Sequence, residues 1–369
     1  MIKSIYTVFR RTLPEEEIYR YHADVFVAIM EGNNIAEVTE KLRRFIAALR
    51  KEIEEGRLPE FTISCGICPM AKFNKISTIY SNAMIAKNGI KASVTEKYKC
   101  YDDTLRIQVE YRNVELSFKE ALRRKEFKVW YQPKFDTRDS HICGAEALVR
   151  WQKPDEGFVL PTDFIPVFEN TGQIVELDEE VIRIVCADIR DAKESGIDIT
   201  PVSVNLSQLH LMKPGIVEKI REITEEYRIA GPDISFEITE SVSVNDKPMM
   251  DHLVETIHKM GFRVDMDDYG KGSSTLWALS DTNFDTLKLD KSFVDEIGSE
   301  KMDIILQSTI SLAKHLEMEI VAEGVETKEQ VDFLVKNHCY IAQGYYFAKP
   351  MPKEEYIGMI KEESGYGWR

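Results

Sequence analysis

At 369 residues the chain exceeds one ordinary core of about 100–200 residues, so two domains, or a barrel with an appendage, are expected. Hydrophobic residues at 43% and charged residues at 30% exclude the disordered and membrane-embedded classes, and a net charge of −15 excludes broad attraction to a nucleic acid polymer. No apolar run reaches bilayer-spanning length, and Met1 to Arg11 lacks a signal-peptide core, so no transmembrane segment and a cytoplasmic setting are expected.

The first hundred residues predict strand, helix, strand, helix, strand. EIYRYHADVFVAIM is a hairpin turning near His22 to Asp24, and NIAEVTEKLRRFIAALRKEIEE has helical apolar spacing closed by Gly56. Its charged end, KEIEEGR, is expected to be solvated. FTISCGICP is a β-rich run stopped by Pro69, and ISTIYSNAMIAKNGI is a helix ending at Asn88-Gly89. Leu105 to Lys125 is a charged amphipathic helix. The six cysteines are scattered, which argues against a disulfide framework; Cys65-x-x-Cys68 stands alone, and a strand packing small apolar side chains is favoured over a metal or redox pair.

From Phe127 the pattern changes to short β-rich runs alternating with helices: VWYQPKF, GAEALVRW, PVSVNLS, ISFEITE, FRVDMDD, DTLKLD, EIVAEGVE and IAQGYYF. Eight such units predict a TIM-like (β/α)8 barrel of parallel strands whose C-terminal ends share one face. Every run except the first carries a polar residue where apolar ones should continue: Glu146, Asn205, Glu237, Asp267 with Asp268, Lys288, Glu323 and Gln343. One buried carboxylate is a tolerated oddity, but a ring of them at one barrel mouth repels itself unless cations sit inside. Oxygen donors suit Mg²⁺ or Mn²⁺ rather than zinc, and the adjacent Asp267 and Asp268 can share two ions, the arrangement used to cut phosphodiesters. Lys288 either simply neutralises the acids or meets developing charge or an attacking water. The histidines lack ligand spacing and are read as surface or packing residues, and YYF (Tyr345 to Phe347) as barrel wall.

The ordered motifs YQP, GAEALVRW, VNLS, FEITES, DDYGKGSSTL, DTLKLD, VAEGVET and QGYYFAKP resemble those of EAL-domain cyclic di-GMP phosphodiesterases from about Leu105 to Ile360. That resemblance implies a two-ion metal site held by Glu146, Asn205, Glu237, Asp267, Asp268 and Glu323, with Lys288, Glu323 and Glu146 carrying the catalysis. Lys288 would position or deprotonate the attacking water. Gln132, Arg150 and Gln343 would contact substrate; for Arg150 an ion pair with an acidic neighbour, and for Gln343-Gly344 a plain turn, are the competing readings. Glu240 would anchor the loop after Asp268, and Asp290 would sit close behind Lys288. The implied reaction opens cyclic di-GMP to linear pGpG. In that loop, Lys271 replaces a small residue of the family pattern and Ser273 an aromatic one, which keeps a second reading open: a silent receptor or scaffold that binds cyclic di-GMP or a protein through the same face. The loop's place in the family also implies a homodimer through the barrel.

RYHADVFVAIM, ISCGICP and SNAMIAKNGIKA resemble pieces of the GGDEF domain of diguanylate cyclases. His22 and Ala23 occupy the glycine places and Val25 the acidic one. Leu13 and Glu16 take the places of an inhibitory product site, and the strand bearing a metal-binding Asp would lie before Met1. The implied organisation is a degenerate, truncated GGDEF-like domain over 1–104, with GTP as its candidate ligand by analogy, a connecting helix over 105–126, and the barrel over 127–369.

Overall fold

The computed structural model describes residues 1–72, 75–90, 97–154, 157–212, 215–239, 247–270 and 282–365. It divides into two compact units, Met1–Asn113 and Val114–Arg369.

The first unit opens on a helix, Ile2–Thr12, that the predicted order lacks. Its signal was present: Ile5, Val8 and Phe9 recur at helical spacing, and Phe9 packs edge-on against Phe45 at 5.1 Å. The hairpin forms as expected from β1 (Glu17–His22) and β2 (Val25–Ile29), with Ala23 in the turn at φ 43°. The helix Ile35–Glu54 starts where Asn34 accepts a hydrogen bond from the Glu37 amide. Its charged end is only partly solvated, because Glu52 is buried between Arg11 and Arg57, each at 2.5 Å. Of FTISCGICP only β3 (Cys65–Ile67) pairs, in parallel with β4 (Tyr98–Cys100), around the helix Ile76–Asn88. All six cysteines are free, and burial pushes the Cys65 thiol up to about 11, which disfavours a reactive thiolate there.

In the second unit eight strands close a barrel: β5 (Phe127–Asp136), β6 (His141–Lys153), β8 (Val202–Asn205), β9 (Ile234–Thr239), β10 (Arg263–Tyr269), β11 (Thr286–Leu289), β12 (Glu319–Ala322) and β13 (Ile341–Ala342). Two short strands flank the closed sheet: β7 (Gly157–Val159) pairs with β6, and β14 (Met351–Pro352) with β5. The ring closes through β5, which pairs antiparallel with both β6 and β13, so the all-parallel expectation fails at this strand. The cause is the connection: residues 137–140 form a tight polar turn, Ser140 adopts φ 62°, and a hairpin turn can join only antiparallel strands. Helices such as Ile174–Glu194, Ile216–Tyr227 and Glu300–His315 lie between the remaining strands in sequence.

Apolar residues on the outer strand faces and inner helix faces form the core. Phe118, Phe127, Trp151, Phe164 and Phe168 make one aromatic cluster beside β5 and β6, in which Trp151 Nε1 donates to Glu126 Oε2 at 2.9 Å. Fully burying such a side chain is worth about 1.5–3 kcal/mol each. This shell lets the barrel tolerate a polar interior.

Candidate active site

A strand places residues i and i+2 on the same face, and the barrel interior inherits that alternation. Glu146 on β6, Asn205 on β8, Glu237 on β9, Asp267 on β10 and Lys288 on β11 all come from strands, while Glu323 and Gln343 follow β12 and β13 directly. The register sets their levels: Asn205 lies opposite Glu237, and Gln132 of β5 opposite Glu146.

Lys288 stands at the centre with only 1% of its surface exposed. Its Nζ lies 2.5 Å from Glu237 Oε2, 2.8 Å from Glu323 Oε1, 2.9 Å from Asp267 Oδ1 and 3.5 Å from Glu146 Oε2. Burial works against its charge, but the surrounding carboxylates overcome that and hold the ammonium well above the usual lysine range. Asn205 Nδ2 donates to Glu146 Oε1 at 3.1 Å, and Gln343 Nε2 donates to Glu146 Oε2 at 2.5 Å and Glu323 Oε1 at 3.4 Å. Gly344 is required after Gln343, because a β-carbon there would meet the Val325 backbone at 2.1 Å.

Asp267 and Asp268 present a geometric problem, since neighbours on a strand face opposite sides. A register shift between Met266 and Tyr269 solves it: Asp268 takes φ 57°, and oxygens of Asp267, Asp268 and Glu323 fall within 4.8 Å of one another. A left-handed residue that is not glycine, at a bulge on the barrel rim, is local strain of the kind found where a side chain must be aimed.

The electrostatics are unbalanced. Five carboxylates (Glu146, Glu237, Asp267, Asp268, Glu323) face two ammonium groups (Lys134, Lys288), a formal excess of three negative charges. Burial and the Glu237 charge raise Glu146, and burial raises Glu323 well above the carboxylate range. Burial also opposes ionisation of Glu237, yet Lys288 and Lys134 hold it down to about 2. Asp267 Oδ1 and Gln343 Oε1 are buried without a hydrogen bond, although Lys288 Nζ lies near the former. Oxygen donors, charge excess and the unpartnered Gln343 Oε1 together fit divalent cations of the Mg²⁺ or Mn²⁺ type.

The other candidates fall around this ring. Gln132 is buried, with its Nε2 at 3.4 Å from the Ala348 carbonyl. Arg150 lies over Trp130 at 5.5 Å, donates to the Val149 carbonyl and forms no ion pair among the described residues. It borders a cavity of about 150 Å³ with Glu169, Asp178, Asn205 and Ser207. Asp290 caps the helix Lys291–Asp295 by accepting from the Ser292 amide at 2.9 Å. Glu240, Lys271 and Ser273 lie outside the described residues. Tyr345 and Tyr346 are 59% and 44% exposed rather than wall, only Phe347 stacking inward on Phe135, and the first strand brings a second polar side chain besides Gln132. It delivers Lys134, whose Nζ lies 2.7 Å from Ser203 Oγ and 3.1 Å from Glu237 Oε1. The signal was a lysine inside an alternating strand, VWYQPKF. His210 is a packing residue, as read, buried on Asp178 at 2.9 Å.

Residues 115–350 match the EAL domain family model, which covers more than half of the chain. The chain belongs to the EAL-domain family. It is 31% identical over 356 residues to the oxygen sensor protein DosP of Escherichia coli, covering 95% of this chain and 44% of that protein. It is 29% identical to the cyclic di-GMP phosphodiesterase NbdA of Pseudomonas aeruginosa, covering 95% of this chain and 46% of that one. The chain thus spans less than half the length of these curated relatives. A solved structure of the PaMucR phosphodiesterase in complex with c-di-GMP superposes with a TM-score of 0.62 at 32% identity, over 66% of this chain and 99% of that one. The EAL match covers the barrel strands and stops short of the first unit. No helix among the described residues is long and apolar enough to cross a membrane.

Proposed function

We propose that this EAL barrel hydrolyses cyclic di-GMP to linear pGpG with a pair of Mg²⁺ or Mn²⁺ ions. The observation that carries the reading is the crowding of carboxylates from four strands around the single ammonium of Lys288, with Asp267, Asp268 and Glu323 converging at the rim. Glu146, Asn205, Glu237, Asp267, Asp268 and Glu323 would hold the ions. Bound there, the ions would supply an activated water and stabilise charge on the phosphorus oxygens.

The chain's own groups then have distinct tasks. Lys288, whose ammonium the surrounding acids favour, stands where it would position or deprotonate the attacking water. Gln343 and Asn205 fix the Glu146 carboxylate by donating to its two oxygens, so a ligand does not rotate as charge moves. Arg150, without an anionic partner among the described residues, is available to a substrate phosphate beside the cavity at Asn205. Water adds to one phosphorus, the 3′ oxygen leaves with a proton, and the ring opens to a terminal 5′ phosphate.

The test is direct. Full-length protein with Mg²⁺ or Mn²⁺ and cyclic di-GMP should yield pGpG by chromatography, and excess chelator should stop it. Tight binding of cyclic di-GMP without product would replace the hydrolase by the receptor; turnover that persists in chelator would remove the metal mechanism.

A further inference from the structure

Two residues back along the strands from the carboxylate ring lies a second interior level that is also polar. Ser203 stands below Asn205, Ser235 below Glu237, Asp265 below Asp267 and Thr286 below Lys288. β5 runs the opposite way, so the residue that reaches this level is Lys134, two positions after Gln132. Barrel interiors are ordinarily layered with branched apolar side chains, so a polar floor calls for a cause.

Lys134 is buried, and its stem crosses Gly144, its register partner on β6. A β-carbon at Gly144 would sit in ordinary contact with Lys134 Cδ at 3.6 Å and only 3.3 Å from the Pro201 carbonyl, so the lysine stem packs directly over this backbone. The ammonium lies between Ser203 Oγ, at 2.7 Å, and Glu237 Oε1, at 3.1 Å. The other oxygen of Glu237 is taken by Lys288 at 2.5 Å. Ser235 Oγ donates to Asp265 Oδ2 at 2.7 Å in the same floor, and the Asp265 charge also supports the Lys134 ammonium. Glu237 therefore has its side chain fully enclosed, with one oxygen pinned from below and the other from the centre of the ring.

We infer that Lys134 is a positioning residue: anchored by Ser203, it fixes the Glu237 carboxylate from beneath so that Glu237 meets the metal ions already oriented. This rests on the proposed metal site but assigns a role to a strand that supplies no metal ligand. Fixed outer partners of ligating carboxylates are typically worth about 10–100-fold in metal affinity or activity. Pure charge acts in the opposite direction, since removing a cation from an acidic cage should tighten divalent binding. The sign of the change thus separates positioning from electrostatics.

The test is Mn²⁺ titration of the full chain without substrate, followed by the paramagnetic resonance of free Mn²⁺, for wild type, Lys134→Met and Ser203→Ala. Lys134→Met keeps the length of the stem and should bind Mn²⁺ about tenfold more weakly. Ser203→Ala keeps every charge, loses the anchor together with the hydroxyl's own contact to Glu237, and should weaken binding by a smaller factor; it decides alone should Lys134→Met not fold. Mn²⁺ binding in a folded variant that equals or exceeds wild type would overturn the inference. A wild type that binds Mn²⁺ but leaves cyclic di-GMP intact would sink the proposed hydrolase while leaving this readout valid.

Discussion

Both units bury carboxylates, but they treat them differently. In the first, Glu16 accepts from Lys41 at 2.5 Å and from the Glu31 amide at 2.9 Å, and Glu52 sits between Arg11 and Arg57. Each acid has its own cation and little is left over. In the barrel four acids lean on Lys288, two of them also reached by Gln343, and buried oxygens stay without hydrogen bonds. A buried carboxylate is therefore not in itself a functional sign. Shortage of partners is, because a site completed by its own side chains has no electrostatic demand for a ligand.

The comparison breaks hardest at Glu146. Glu146→Ala should remove pGpG formation to below detection while far-ultraviolet circular dichroism stays that of wild type; retained turnover would mean the ring is only structural. Next comes Lys288→Met. Removing the one central cation should destabilise the protein in chelator by about 3–5 kcal/mol, as breaking a buried ion pair does. Mg²⁺ or Mn²⁺ should restore much of that loss by occupying the acids, which denaturant titration with and without ion would show. A variant equally stable in both conditions would place the ions elsewhere.

The smallest effect belongs to the first unit. Arg57 and Arg11 hold Glu52 at about 2, below the ordinary 4.5. A depressed folded value means that its stabilising contribution is complete above about 4.5 and is lost as pH falls towards 2. The thermal midpoint of Glu52→Gln should therefore lie below that of wild type at neutral pH and converge with it on acidification, with turnover unchanged. A gap that widens in acid would contradict the pairing.

What the sequence revealed divides along the same physical line. Polar residues interrupting β-rich runs identified Glu146, Asn205, Glu237, Asp267, Lys288, Glu323 and Gln343, because alternation makes an inward-facing polar residue conspicuous. Lys134 is less conspicuous because β5 runs antiparallel to β6 and presents it two positions past Gln132, opposite Gly144. The bulge that turns Asp268 beside Asp267 also left no periodic mark, being a backbone event at two residues. The burial of Glu52 was hidden for a different reason: its partner Arg11 lies 41 positions away on a helix that was not anticipated.

Counting the Mn²⁺ retained per chain at equilibrium examines the account at its root. Two ions in wild type, with fewer or weaker ones in Glu146→Ala, is the expected result. A full chain that is folded yet retains none at millimolar Mn²⁺ would show that the excess of acids around Lys288 serves some other end.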